Sequence, residues 1–183
     1  GSFSDDLGRS KLFVCTHNRC RSILSEAITN QFSDGKVGKK VGGKVGGKVG
    51  KKVGTIVAKS AGSQPAGEVH PLSIKYLQEA GISTDGLQSQ SWDDFEHFAP
   101  DLVVTVCDSA AGETCPVWFG KSLKVHWGLA DPSKLQGSEV EISEAFRATI
   151  EQIKQRVEQL VNLDVDVKDK VALKAALANL GAV

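Results

Sequence analysis

From Lys11 the chain reads Lys-Leu-Phe-Val-Cys-Thr-His-Asn-Arg-Cys-Arg-Ser, so a short apolar run delivers Cys15, and Arg21-Ser22 follow after five intervening residues. Five residues are enough to bend backbone around a tetrahedral anion with several N–H groups pointing inward. The next stretch, Ile23-Leu24-Ser25-Glu26-Ala27-Ile28, reads as a helix whose N-terminus faces the same anion. Phosphate or a phosphate mimic fits such a cradle. Inward amides, a helix N-terminus and a guanidinium all favour the thiolate of Cys15 over the thiol, and the thiolate is the nucleophile. Arg21 is suited to clamp two oxygens of the anion with a planar fork that lysine lacks. The competing reading is two ordinary cysteines and a surface arginine at a strand-to-helix turn.

Elements that place these residues follow from the patterning. Apolar runs at Leu12–Val14, Thr55–Ala58, Leu102–Val106 and Leu123–His126 predict strands. Ser22–Phe32, His70–Ala80, Trp92–Phe98 and Ser143–Leu163 predict helices, the last with Ala145, Ile150, Ile153, Val157, Leu160 and Val161 on one face among charges. The alternation predicts an α/β fold with parallel strands joined by crossover helices. In such open sheets the reactive site lies at the carboxyl ends of the strands, where Cys15, Cys107 and the Asp131 loop all fall.

Composition narrows the class. The 183 residues suit one domain that buries a core without disulfide help. Lys plus Arg equals Asp plus Glu at 22 each, so no bulk charge points to nucleic acid or an anionic membrane. The chain has no apolar run of the ~18 residues a membrane span needs, and its first residues lack the basic and apolar regions of a secretory signal. The expectation is a cytoplasmic protein without membrane or nucleic-acid partners.

Four cysteines cluster as Cys15 with Cys20 and Cys107 with Cys115, too few for a disulfide scaffold and wrongly spaced for a tight zinc knuckle. Thiol redox chemistry is the better account, with no metal or organic cofactor expected.

Two segments stand apart. Residues 35–54 repeat Lys-Val-Gly and Lys-Lys-Val-Gly units without an acidic or aromatic residue, and read as an insertion, either a flexible or engineered linker or a basic arm for an acidic partner. Residues 164–183 read as a helical extension that packs on the domain or on a partner. The expected organisation is one domain over 1–163, interrupted at 35–54, followed by that extension.

The Cys15-x5-Arg21-Ser22 spacing resembles the signature of the low-molecular-weight tyrosine phosphatase fold, including the arsenate reductases built on it. Ser60-Ala61-Gly62 after the second strand, and the run His126-Trp127-Gly128-Leu129-Ala130-Asp131-Pro132, extend the likeness over residues 11–35 and 55–160. The resemblance implies a three-layer, open, four-stranded parallel sheet with helices on both faces. It implies an oxyanion held by the loop residues Thr16, His17, Asn18, Arg19, Cys20, Arg21 and Ser22. Asn18 and Ser60 would fix the loop's shape, with the serine holding the asparagine, and Ser22 would donate its hydroxyl to the Cys15 thiolate. Asp131 would protonate the leaving oxygen.

Departures from the phosphatase pattern favour the reductase branch. Asp131-Pro132-Ser133-Lys134-Leu135 carries no tyrosine to flank an aromatic ester, and the chain's one tyrosine is Tyr76. Cys107 and Cys115, at a strand end and across a Gly-containing loop, resemble the redox segment of arsenate reductases. The resemblance then implies attack of Cys15 on arsenate, attack of Cys107 on Cys15 with release of arsenite, and export of the disulfide through Cys115. Thioredoxin-linked enzymes space the last two cysteines seven apart, whereas here they stand eight apart; a branch of the family uses glutathione with glutaredoxin instead, in which Cys107 or Cys115 would regenerate Cys15 through a glutathione mixed disulfide and the other would be a bystander. Cys20 is expected to be structural or protective rather than nucleophilic. His17 is expected to tune loop charge at most, and His70, His97 and His126 to cap or pack. The alternative activities are a phosphatase working through a Cys15 phosphocysteine and an inactive phosphate-binding derivative.

Overall fold

The computed structural model describes residues 10–33, 57–98, 100, 102–106, 123–161, 171 and 175–176. Four parallel strands, β1 (Ser10–Val14), β2 (Val57–Ala61), β3 (Leu102–Thr105) and β4 (Leu123–His126), form one sheet in the order β2-β1-β3-β4. Phe13 pairs in register with Ser60 on one side and Val104 on the other, so β1 is the central strand on which the next two are hung. The sheet order reverses between β1 and β3, and the end of β1 therefore opens onto the crevice where such sheets bind ligands.

Residues 11–14 are buried throughout, as are Leu102, Val103 and Val104. Successive side chains of a strand point to opposite faces, so both faces of the sheet's centre are covered. Helix α1 (Arg21–Ser33) packs on β1 and β2, and α1, α2 (Pro71–Glu79) and α3 (Glu139–Val161) pack on one another, with Phe146 of α3 stacked on Tyr76 of α2 at 5.0 Å between ring centroids. Trp127, beyond β4, closes on Phe13 at 6.3 Å.

Local chemistry accounts for the ends of these elements. His70 caps α2, its Nδ1 accepting from the Leu72 amide at 3.1 Å, with Pro71 at the first helical position. Helix α3 begins four residues before the predicted Ser143. Ser138 and Glu141 form a reciprocal capping box, Oγ accepting from the Glu141 amide at 3.2 Å and Oε1 from the Ser138 amide at 3.4 Å. Trp92–Phe98 is a 3₁₀ segment rather than an α-helix, broken at Phe95 with φ −112°. The repeat at 35–54 lies outside the described residues. Of the extension, Val171, Ala175 and Ala176 are described and all are helical.

One polar tie joins α1 to β2 inside the core: the Ser60 hydroxyl donates to Glu26 Oε1 at 2.6 Å. Burial pushes the Glu26 carboxyl up to about 7, against the opposing pull of the Ser60 bond and of Lys59. The folded chain therefore holds this proton where the unfolded chain has released it, and stability falls as pH rises from about 4.5 to about 7. Glu26→Gln keeps an acceptor for Ser60 but has nothing to titrate. Urea unfolding at pH 4.5 and pH 8 should show the wild type losing on the order of 2–3 kcal/mol more than the variant across that interval. Parallel pH profiles would contradict the assignment.

Candidate active site

Cys15 leaves the end of β1, 6% exposed, with its amide bonded to the Ala61 carbonyl at 3.1 Å. The residues after it make a tight ring whose carbonyls are taken from outside. Thr16 O accepts from the Gln64 amide, His17 O from the Ala66 amide and the Ser89 hydroxyl, and Arg19 O from the His70 amide and the Ser73 hydroxyl. Cys20 O accepts from the Leu24 amide at 2.8 Å, already inside α1. In a trans peptide the C=O and the following N–H point in opposite directions. Tying these four carbonyls outward therefore turns the amides of His17, Asn18, Cys20 and Arg21 inward, which makes an anion nest continuous with the first turn of α1.

Asn18 supplies the bend. Its φ of +48° is a left-handed conformation that asparagine tolerates better than most residues. Its buried side chain spans the loop, Nδ2 donating to Ser22 Oγ at 2.8 Å and Oδ1 accepting from the Gln90 amide at 2.7 Å. The expectation that Ser60 holds Asn18 is thus corrected: Ser22 and the Gln90 backbone hold it, and Ser60 is committed to Glu26, whose buried carboxyl needs the donor. Because Ser22 Oγ accepts from Asn18, its own proton is left to donate elsewhere.

Arg21 opens α1 and reaches across the cleft. Nη1 donates to the Leu129 carbonyl at 2.9 Å, Nη2 lies 3.7 Å from Asp131 Oδ2, and Nε is buried with no partner among the described residues. The guanidinium is therefore anchored by one corner while its Nε–Nη2 edge, the edge that grips two oxygens, keeps its capacity for an anion. Asp131 caps the short turn Pro132–Lys134, and its Oδ1 accepts both the amide and the hydroxyl of Ser133, at 2.9 and 2.6 Å. Oδ2 is the oxygen left toward Arg21.

Cys15, His17, Arg19, Cys20, Arg21, Asp131, Ser133 and Lys134 line one cleft of about 100 Å³. At about 30 Å³ per water this is room for roughly three waters, the scale of one tetrahedral anion. Among the described residues no Phe, Tyr or Trp lines it, and Tyr76 is buried in the core. Cys20 is buried beneath, its thiol pushed up to about 12 by burial despite hydrogen bonding with Ser73 and Ser133. It stays protonated at any working pH. Cys107 and Cys115 lie outside the described residues.

Sequence reading passed over three contributors. Gly62 admits the second strand's exit against the loop: a Cβ there would sit 2.4 Å from Thr16 O and 2.6 Å from Cys15 O. Leu129 contributes only a carbonyl, which no pattern flags. Ser133 was legible, since Asp-Pro-Ser is an N-cap followed by proline.

Gly62→Ala should force the loop apart, costing about 1–3 kcal/mol as an overpacked contact and abolishing phosphate binding by calorimetry. Retained binding would show that the loop yields without opening. In thiol mapping of the native protein at pH 8, iodoacetamide should alkylate Cys15 and spare Cys20, because the thiolate is the reacting form and Cys20 is held as a thiol. Equal labelling of both would contradict that difference in protonation.

This geometry has known counterparts. The arsenate reductase of Halalkalibacterium halodurans is 32% identical over 145 residues, covering 79% of this chain and 89% of that protein. The glutaredoxin arsenate reductase of Synechocystis is 28% identical over 150 residues, 82% of this chain and 94% of that one. Among solved structures, an arsenate reductase in the phosphate-binding state superposes with a TM-score of 0.61 at 27% identity, covering 84% of this chain and 97% of that chain. A tyrosine phosphatase of Erwinia amylovora shares the fold, with a TM-score of 0.57 at 21% identity, over 84% of this chain and 91% of that chain. The profile described as low molecular weight phosphotyrosine protein phosphatase matches residues 11–173, and with the amide ring around Cys15 and the Arg21 clamp already in view, the chain belongs to that family.

Proposed function

We propose that this protein reduces arsenate to arsenite, with Cys15 as the nucleophile. The observation that carries the reading is the cleft itself: a cysteine at the floor of an inward-amide ring, an arginine whose Nε–Nη2 edge faces only Asp131 Oδ2, and, among the described residues, no Phe, Tyr or Trp to flank an aryl ester. Arsenate is a free tetrahedral oxyanion and needs no such wall. The names of the relatives support the same substrate.

In the proposed reaction the Cys15 thiolate attacks arsenic, an S–As bond forms and an As–O bond breaks, and the hydroxyl of the protonated arsenate leaves as water after taking a proton from Asp131 Oδ2. Oδ1 is occupied by Ser133, so the second oxygen carries that proton. The Ser22 proton, freed by the Asn18 bond, is available to the thiolate. A second thiolate, assigned to Cys107, then attacks Cys15 Sγ. An S–S bond forms, the S–As bond breaks with its electron pair passing to arsenic, and arsenic(V) leaves as arsenic(III) in arsenite. Cys115 next exchanges with the Cys15–Cys107 disulfide, freeing Cys15 and leaving Cys107–Cys115 for an external thiol donor. We assign that donor to thioredoxin or to glutathione with glutaredoxin, and we assign all the chemistry to one unit over 1–163, with 35–54 and 164–183 taking no part.

Purified protein should form arsenite from arsenate with one of the two donor systems, and its absence with both would reject the proposal. Cys15→Ser should abolish turnover, while Asp131→Asn should lower kcat about 10²–10³-fold as a lost general acid does. Cys115→Ser protein stopped after one turnover should yield the Cys15–Cys107 disulfide by mass spectrometry. Hydrolysis of aryl phosphates that depends on Cys15 and ignores Cys107→Ser, without arsenite formation, would favour the phosphatase alternative.

A further inference from the structure

Helix α3 buries Phe146, Thr149, Ile150, Ile153, Val157 and Leu160 along one face, and Arg156 falls on that face with them at 4% exposure. Its position calls for an apolar side chain, since desolvating a guanidinium costs several kcal/mol. Burial indeed lowers the Arg156 pKa. One residue it reaches lies in the loop that serves the cleft: Nη1 donates to the Gly128 carbonyl at 3.3 Å.

That carbonyl is one point in a short, fully tied segment. Trp127 N donates to Thr105 O at 2.8 Å and Leu129 N to Val106 O at 3.2 Å, which secure the segment to β3 on one side. Arg156 secures it to α3 on the other. The next carbonyl, Leu129 O, is the one that anchors Arg21 Nη1, and Asp131 stands two residues further on. The orientation of the Leu129 peptide decides whether the Nε–Nη2 edge of Arg21 faces the nest or swings off it. One fewer tie on Gly128 frees that peptide.

We propose that Arg156 is a positioning residue for the oxyanion clamp, acting through Gly128 and the Leu129 carbonyl on Arg21. It touches no substrate. This rests on reading the Cys15 loop as an anion site, and its test separates it from the arsenate assignment by using inorganic phosphate as the probe.

Calorimetric phosphate titrations of the full chain should show Arg156→Met raising the dissociation constant about tenfold, because a clamp displaced by part of an ångström loses much of its orientation advantage. Arg156→Lys, which keeps a cation able to reach Gly128 O, should recover most of that loss. In an Arg21→Lys background, where no fork exists to be aimed, Arg156→Met should add less than a twofold further change. Arsenite kcat should fall in step with the clamp in the single variants. If Arg156→Met does not fold, Arg156→Gln serves in the same cycle. A lowered unfolding midpoint with unchanged phosphate affinity, or full additivity with Arg21→Lys, would overturn the proposal. Wild-type protein that binds no phosphate would overturn both it and the anion-site reading. Phosphate results as expected without arsenite from any donor would sink only the reductase assignment.

Discussion

The direction in which a few peptide units face governs this site. The carbonyls of Thr16, His17, Arg19 and Cys20 are held from outside the loop, and that alone aims the amides of the residues after them at the cleft. Buried backbone groups must find partners, so a loop whose carbonyls lacked outside donors would turn some of them inward and repel an anion. Apart from Leu24, which holds Cys20 O, the donors come from residues 64–73 and 89, far from the loop in sequence, and they approach closely because Gly62 has no side chain. Anion binding is in this sense a property of the crossover after β2 as much as of the signature itself.

Around that ring the polar atoms are divided between structure and chemistry. Arg21 spends one nitrogen on Leu129 and keeps its gripping edge; Asp131 spends one oxygen on Ser133 and keeps the other. Asn18 spends both ends of its amide on the loop. The two described cysteines line the same cleft but differ in their surroundings: Cys15 ends β1 at the start of the amide ring, whereas burial holds Cys20 as a thiol.

Much of this was legible before any coordinates. The four strands fall within a few residues of where the apolar runs put them, and β4 coincides. The misses have physical causes. Helix α3 starts early because a capping box at Ser138 and Glu141 outweighs the polar residues that hid its first turn. Trp92–Phe98 is too short to sustain α-helical bonding and tightens into a kinked 3₁₀ segment. Ser60 was matched to the wrong partner, since a serine's choice between an amide and a carboxyl depends on which buried group lies within reach, and Glu26 does.

By itself the sequence determined the reactive inventory and its order: a nucleophile at a strand end, an arginine at a helix start, an acid before a proline, and periodicity sufficient for a parallel sheet. These are local properties, set by residue type and spacing along a few turns of chain. Tertiary structure decided the rest: which carbonyls face out, which edge of Arg21 faces Asp131 and the cleft, why Gly62 must be glycine, and that Arg156 reaches the loop from the buried face of α3. Each depends on segments separated by tens of residues meeting within about 3 Å, a distance no pattern along a single chain encodes.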